Sequence, residues 1–309
     1  MPDPSPAEAG LLRTLVGDGR PLLVLSALAL VAFGAFALFL GATGHFLPHD
    51  TAYLGMTSRQ LCDLHACRIV HFMVPDRVSF GGVLVAIGVA YLWLATFPLK
   101  AGERWAWWTL TGSAAAGFLS FLSYLGYGYL DTWHGLGTLA LLPLVAAGLA
   151  LTRRAPVRSP RVPLSLATRA GQGRVLLVLC AAGIAAAGLT ISAVGTTLVF
   201  VPQDLEFMRL TRAELAAVNP RLVPLIAHDR AGFGGALLSC GAALLPILLY
   251  RRIDRGLAEA LAIVGVAGFG AAVGVHPAIG YTSLTHLGPA VLGAVAYAVG
   301  LALAWPRRT

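Results

Sequence analysis

The chain has 309 residues, of which 57% are hydrophobic and only 12% are charged, and its mean hydropathy is +0.77. Soluble domains are closer to roughly 45–50% apolar and 25% charged, so this composition excludes an ordinary soluble protein. The net charge of +8 does not indicate a nucleic-acid partner, because the basic residues lie in short loops without aromatic residues between them.

The apolar residues are gathered into eight blocks, each long enough to cross a bilayer, which takes about 20 residues. The predicted spans are 21–44, 79–98, 105–127, 134–152, 174–200, 231–250, 256–278 and 284–304. The first block is too long for a signal peptide and lacks a small-residue cleavage site. The sequence therefore predicts an all-α integral membrane protein of about eight transmembrane helices, with the lipid bilayer as its partner.

The distribution of charge predicts the orientation in the membrane. With an even number of spans, both termini lie on one side, which carries 15 of the 22 basic residues and six acidic ones, a net charge of +9. The other side carries seven Arg and eight acidic residues, a net charge of −1. Because cytoplasmic loops are rich in Lys and Arg, we expect a multi-pass protein of the cell (inner) membrane with both termini in the cytoplasm.

The two halves of the sequence repeat the same motifs in the same order. The matched segments are FLPHD at 46–50 with FVPQD at 200–204, RIVHFMVPDRVSFGG at 68–82 with RLVPLIAHDRAGFGG at 221–235, and GYLDTWH at 128–134 with GYTSLTH at 280–286. These matches predict two tandem, parallel four-helix repeats, residues 1–152 and 174–309, joined by an Arg- and Pro-rich cytoplasmic linker at 153–173.

A loop of about 30 residues on the external side separates the first and second predicted spans of each half. Each loop contains a capping box, Thr57-x-x-Gln60 and Thr211-x-x-Glu214, which predicts a short helix resting at the membrane interface. The glycine pairs that follow each loop are predicted to let the second span of each half pack closely against a neighbour. These glycines are Gly81, Gly82, Gly234 and Gly235.

An Asp-Arg pair occurs at the same membrane boundary in both halves. Charges near hydrocarbon are costly and need partners, so the favoured interpretation is structural ion pairing, in which an acidic residue of the loop binds the repeated Arg. A role in substrate binding or proton handling is the alternative. The residues of these predicted ion pairs are Asp50, Asp76, Arg77, Asp204, Asp229 and Arg230.

Histidines provide the candidate cofactor ligands. His134 and His286 begin the fourth and eighth predicted helices, where the helix dipole disfavours protonation and leaves a neutral imidazole able to bind haem b or a transition metal. His71 and His228 lie near the second and sixth predicted helices. The preferred ligand pair is His228 with His286. For His134 and His286 the alternatives are hydrogen bonding to the loop at the interface and proton transfer.

A cysteine-rich segment occurs only in the first half. Cys62, His65 and Cys67, followed by His71, are donors that zinc or copper accepts, which makes this segment a weak candidate metal site. A disulfide between the two cysteines and a pair of free thiols are the alternatives. The disulfide requires the helix to be broken there, because residues five apart on a helix are too distant to be bridged.

Two tandem four-helix units with His residues near the external ends of the second, fourth, sixth and eighth helices form an arrangement that resembles the haem A synthases. The resemblance implies haem held by His residues of paired helices within one half, and a functional acidic residue three positions before one ligand. Here that spacing is Asp131-x-x-His134, on the fourth predicted helix rather than the second. Asp131 and Asp229 are accordingly the candidate catalytic acids.

Three classes of function follow from these patterns. The first is a membrane redox protein that binds a cofactor at an external His/Asp/Arg site. The second is a transporter or lipid-handling protein that uses the cleft between the repeats, and the third is an accessory subunit of a larger membrane complex. The sequence contains no Gly-rich phosphate loop, G-x-S-x-G, H-E-x-x-H or Cys-x-x-Cys motif, which argues against the familiar nucleotide-driven and hydrolytic mechanisms.

Overall fold

The computed structural model describes residue 10, residues 16–122, residue 129, residues 132–153 and residues 156–307. These residues form twelve α-helices and no β-strand. Seven of the helices are long and apolar enough to cross a membrane. The architecture is that of a helical membrane protein, in agreement with the prediction from composition.

The helices are named here in chain order. They are α1 (Arg20–Ala42), α2 (Pro48–Leu54), α3 (Ser58–Leu64), α4 (Arg68–Thr96), α5 (Arg104–Ser120), α6 (Thr132–Thr152), α7 (Arg169–Thr196), α8 (Pro202–Met208), α9 (Arg212–Val218), α10 (Leu222–Tyr250), α11 (Arg255–Ile279) and α12 (Leu284–Ala304). Helix α5 corresponds to the predicted span 105–127, but its 17 residues fall short of the roughly 20 that a span requires. The other seven predicted spans each correspond to one of the seven long apolar helices.

The loop between the first two spans of each half is more helical than predicted. The capping boxes at Thr57 and Thr211 are formed, and α3 and α9 follow them as expected. Helices α2 and α8 were not predicted. The next helix also begins earlier than the predicted residues 79 and 231, because α4 and α10 continue through the Asp-Arg pairs, whose charges are matched by partners inside the protein.

Helices α4 and α10 form the centre of the bundle, and the halves exchange contacts around them. Helix α1 packs on α4 and α7 packs on α10, whereas α11 packs on α4 and α5 packs on α10. A side-chain carbon at Gly81 would collide with α1, and one at Gly82 would collide with α11. A side-chain carbon at Gly234 would likewise collide with α7, and one at Gly235 would collide with α5. These collisions confirm the predicted role of the four glycines in close packing.

The bundle has two distinct ends. We call the end that carries Asp50, Asp76, Asp204 and Asp229 the carboxylate end, and the end at which α1 begins and α12 finishes the terminal end. At the terminal end, the Arg174 guanidinium joins the linker to α10, because it donates to the carbonyl oxygens of Pro163 and Leu248.

Candidate functional site

Arg77 is the centre of one charge cluster at the carboxylate end. Its Nη1 donates to Asp50 Oδ2 at 2.9 Å, and its Nε donates to Asp229 Oδ2 at 2.8 Å. The guanidinium also lies over the Phe46 ring, 4.9 Å from the ring centre. Asp50 belongs to the first half and Asp229 to the second, so this arginine joins the two halves.

Arg230 is the centre of a second cluster with the same plan. Its Nη1 donates to Asp204 Oδ2 at 2.6 Å, and its Nε donates to Asp76 Oδ2 at 3.3 Å. The guanidinium lies over the Phe72 ring, 5.2 Å from the ring centre. The loop carboxylate comes from the arginine's own half and the helix carboxylate comes from the other half, as in the Arg77 cluster.

A tyrosine completes each cluster by bonding the loop carboxylate. The Tyr129 hydroxyl donates to Asp50 Oδ1, and the Tyr281 hydroxyl donates to Asp204 Oδ1 at 2.9 Å. Burial and the nearby Asp204 carboxylate raise the pKa of Tyr281, so its hydroxyl remains a proton donor at neutral pH. Both tyrosines occupy the same position of the repeated G-Y motif, a signal that analysis of the charged residues alone overlooked.

Backbone strain accompanies the Arg230 cluster. Val199 has a φ of +67°, a left-handed conformation that is a genuine outlier for a β-branched residue. Its carbonyl oxygen accepts a hydrogen bond of 2.7 Å from Arg230 Nη1. Strain of this kind persists only where surrounding contacts hold the residue in place, and this hydrogen bond is one of them.

The histidines pair differently from the prediction. His228 lies on α10 and His134 on α6, and their Nε2 and Nδ1 atoms are 3.2 Å apart. His228 thus lies against a histidine of the other half, and its predicted pairing with His286 as cofactor ligands stays a prediction. It rested on α10 and α12 being neighbours, whereas α12 packs mainly on α7 and α11.

His286 lies in a second aromatic group at the carboxylate end. Its ring is stacked on Tyr281, with ring centres 4.4 Å apart, and lies 5.3 Å from the ring of His276. His276 is buried on α11, and its Nδ1 lies 2.7 Å from the carbonyl oxygen of Ala272. His286 thus lies beside the tyrosine of the Arg230 cluster.

The cysteine segment forms a disulfide between Cys62 and Cys67. The helix is broken there, since α3 ends at Leu64 and Cys67 has a φ of +62°, which satisfies the condition stated for this alternative. The sulfurs are bonded to each other rather than free as thiolates, which favours the disulfide alternative over the metal site suggested for Cys62, His65 and Cys67. His71 and both cysteines line a cavity of about 590 Å³ that faces α11.

The part of the chain that the structure describes contains no group of three or more His, Cys, Asp or Glu side chains arranged to hold a metal ion. Asp131, the acid of the Asp-x-x-His motif, lies outside the described residues. Of the predicted site residues, the structure brings together the six charged residues in two clusters and His134 with His228. His286 lies against Tyr281 of the Arg230 cluster, and His71 lies apart from both clusters, at the cavity lined by the two cysteines.

A long apolar cavity opens beside the Arg77 cluster. It has a volume of about 430 Å³ and is enclosed by α1, α4, α5, α6 and α10, within the range of roughly 300–1,000 Å³ typical of ligand sites. Along α1 its lining extends from Ser26 to Gly41, which at 1.5 Å per residue is about 22 Å. Its walls are mostly apolar, with Leu and Phe as the most frequent lining residues.

The polar groups of this cavity are concentrated at one end. Charged and imidazole side chains line its carboxylate end, while farther along the lining is apolar except for a few hydroxyl groups. The lining residues at the polar end are His45, Asp50, Asp76, Arg77, His134, His228 and Asp229. A charged end on an apolar body matches the two parts of an amphipathic molecule.

The cavity also reaches the outer surface of the bundle between α1 and α6. These helices touch near the terminal end, where a side-chain carbon at Gly148 would lie 2.8 Å from Leu23. Toward the carboxylate end, two lining residues of α1 and α6 are exposed, Phe36 by 48% and Trp133 by 54%. The helices therefore diverge, and the gap between them faces the surface that the bilayer would cover.

Buried hydroxyl groups connect the halves deeper in the bundle. The Tyr91 hydroxyl donates to Ser113 Oγ at 2.8 Å, and Ser239 Oγ donates to the Ser113 carbonyl oxygen at 2.8 Å. Tyr91 and Ser239 also line the cavity. These residues could not be identified from the sequence, because single hydroxyl groups within apolar spans are common.

No protein-family model, no curated protein and no solved structure matches this chain. The geometry of the two charge clusters and of the cavity is therefore what bears on function.

Proposed function

We propose that this chain is a lipid-handling membrane protein that binds a single-chain amphipathic molecule in the cavity beside Arg77. The proposal corresponds to the second of the three functional classes indicated by the sequence. The observation that carries it is the combination of a 22 Å apolar cavity, a charged end and an opening between α1 and α6. The cavity is longer than one leaflet of hydrocarbon, about 15 Å, and narrow, which favours one extended chain over a two-chain lipid.

We further propose that the protein has eight spans in two tandem four-helix units, 1–152 and 174–309, with both termini in the cytoplasm. Helices α1–α6 and α7–α12 have the same order of long and short elements, which supports the repeat. The net charge of +9 on the terminal side supports the orientation. In that orientation the opening between α1 and α6 faces the external leaflet of the cell membrane, from which a lipid would enter.

The test is the amount of amphipathic molecule that co-purifies with the protein. Gly137 lines the cavity, and a side-chain carbon there would have open space around it. A Gly137→Trp variant should therefore fill the cavity without disturbing the helix packing. Gly135 has equally open surroundings but does not line the cavity, so Gly135→Trp is the matched control.

Native mass spectrometry of the protein released from a mild detergent would give the result. We expect the unmodified chain and Gly135→Trp to retain a bound amphipathic molecule and Gly137→Trp to lose it. Equal retention by both variants would contradict the proposal. In that case the third class, an accessory subunit in which the bundle is a scaffold for other membrane proteins, would be favoured.

A redox protein that binds haem b or a transition metal is the second candidate function. One observation favours it: the His134 and His228 nitrogens lie 3.2 Å apart beside the cavity, which is compatible with two ligands of one tetrahedral ion at about 2.0–2.1 Å from each nitrogen. Metal analysis and a reduced-minus-oxidised absorption spectrum of the purified protein provide the test. A Soret band that disappears in His228→Ala would establish haem binding.

A further inference from the structure

The head group of the bound molecule can be characterised from the charges at the cavity's polar end, and this inference rests on the proposed function. The Arg77 cluster contains one guanidinium and two carboxylates, those of Asp50 and Asp229. The Arg230 cluster repeats this ratio with Asp76 and Asp204. Each cluster therefore contains one more acidic group than it contains arginines.

Both carboxylates of the Arg77 cluster bind the same guanidinium. Arg77 uses Nε for Asp229 and Nη1 for Asp50, so its positive charge is already opposed by two negative charges. An anionic head group placed here would be the third acidic group around a single guanidinium and would find no unopposed arginine. Like charges brought together in a largely desolvated site cost several kcal/mol.

Asp229 leaves one oxygen available. Its Oδ2 accepts from Arg77 Nε, while its Oδ1 accepts no hydrogen bond from any residue that the structure describes. The side chain is 11% exposed and lines the cavity. A carboxylate oxygen in this position is an acceptor for a donor group at the end of the apolar chain.

The aromatic and imidazole rings at the polar end of the cavity are compatible with a small head group. His134 lies edge-on to the Phe80 ring, with ring centres 5.6 Å apart, and 5.5 Å from the ring of Phe121. These rings narrow the polar end of the cavity and line it with aromatic faces and an imidazole. A hydroxyl group can bond there, and an ammonium group can also be attracted to the aromatic faces.

We infer that the molecule bound in this cavity has a small head group that donates a hydrogen bond to Asp229 and carries no negative charge. Two sources share this chemistry: a long-chain alcohol or phenol, whose head is an uncharged hydroxyl, and a long-chain amine, whose head is an ammonium ion. Lipids whose heads are phosphates or carboxylates are excluded by the same charges.

The experiment uses four photoreactive probes in nanodiscs of zwitterionic lipid. The probes share a hexadecyl chain with a diazirine near its end and differ only in the head group: hydroxyl, ammonium, phosphate or carboxylate. Cross-linking to peptides of α1 and α6 is measured by mass spectrometry on the full-length chain, with Gly137→Trp as the variant whose cavity is filled.

We expect the hydroxyl or the ammonium probe, or both, to label the cavity at least about tenfold more than the two anionic probes, since tenfold corresponds to about 1.4 kcal/mol. Whichever of these two probes labels the cavity more strongly identifies the source of the ligand: a long-chain alcohol or phenol for the hydroxyl probe, and a long-chain amine for the ammonium probe. Asp229→Asn should reduce labelling by the preferred probe. The reduction should be larger for the ammonium probe, because the substitution also removes the carboxylate charge that attracts a cation. A fifth probe, the same chain without a head group, should still label Asp229→Asn, and this labelling would show that the variant keeps its cavity.

The outcomes separate the two proposals. The proposed function itself fails if no probe labels the peptides of α1 and α6, or if Gly137→Trp does not reduce their labelling. If phosphate or carboxylate probes label the cavity as well as the others do, lipid binding stands and the inference about the head group is overturned. If Asp229→Asn distinguishes the four head groups as strongly as the unmodified chain does, the role assigned to this carboxylate is overturned.

Discussion

Replacing Arg77 with alanine removes the cation that two carboxylates from different halves share. The Arg77 side chain is 16% exposed, and those of Asp50 and Asp229 are 4% and 11% exposed, so solvent compensates little for the loss. Removing one partner of a buried ion pair costs about 3–5 kcal/mol, because the remaining charge stays buried without a partner. We therefore expect Arg77→Ala to lower the free energy of unfolding by about 3–5 kcal/mol.

Reversible unfolding in mixed detergent micelles, followed by circular dichroism, would measure this change. The control is Arg255→Ala, because Arg255 and its partner Glu259 are 66% and 53% exposed and a pair at this spacing on a helix contributes roughly 0.3–0.5 kcal/mol. Adding Asp229→Asn to Arg77→Ala should restore part of the loss by removing a buried charge. If Arg77→Ala changes stability no more than Arg255→Ala does, the clusters do not hold the halves together.

Three further predictions concern packing, covalent structure and orientation. Gly82→Ala should destabilise the protein by about 1–3 kcal/mol, because the added carbon would collide with α11, whereas Gly112→Ala should have little effect because the space around Gly112 is open; unfolding in micelles compares the two. The peptide containing Cys62 should react with maleimide only after reduction, since its sulfur is in a disulfide, as peptide mass spectrometry would show. Arg59→Cys should be labelled in intact cells by a membrane-impermeant thiol reagent and Arg158→Cys should not; the opposite pattern would contradict the orientation.

The sequence predicted the long apolar helices well because hydrophobic blocks of this length have few alternatives. The capping boxes at Thr57 and Thr211 also predicted α3 and α9, since a cap is encoded within four residues. The early starts of α4 and α10 were not predictable in the same way. From the sequence alone, Pro75 and the charged Asp-Arg pairs indicate a loop. The residues that bind these charges inside the protein lie far away in the sequence and cannot be identified from a local pattern.

The candidate site shows the same limit. The repeat identified Arg77 and Arg230 as important, but the contact between Arg77 and Asp229 depends on how the two halves pack, which no local pattern encodes. The exchange of α5 and α11 between the halves likewise follows from tertiary packing. The cavity was also outside the reach of sequence analysis, because its wall residues are indistinguishable from ordinary residues of apolar helices.

The most direct test of lipid binding is an experimental map of the protein in nanodiscs made from the membranes in which it was expressed. We expect elongated density between α1 and α6, with its compact end within hydrogen-bonding distance of Asp229 Oδ1 and its tail running past Phe80 toward Ser26. The same map of Gly137→Trp should lack this density. A cavity closed by the approach of α1 to α6, with no density in it, would contradict lipid binding at this site.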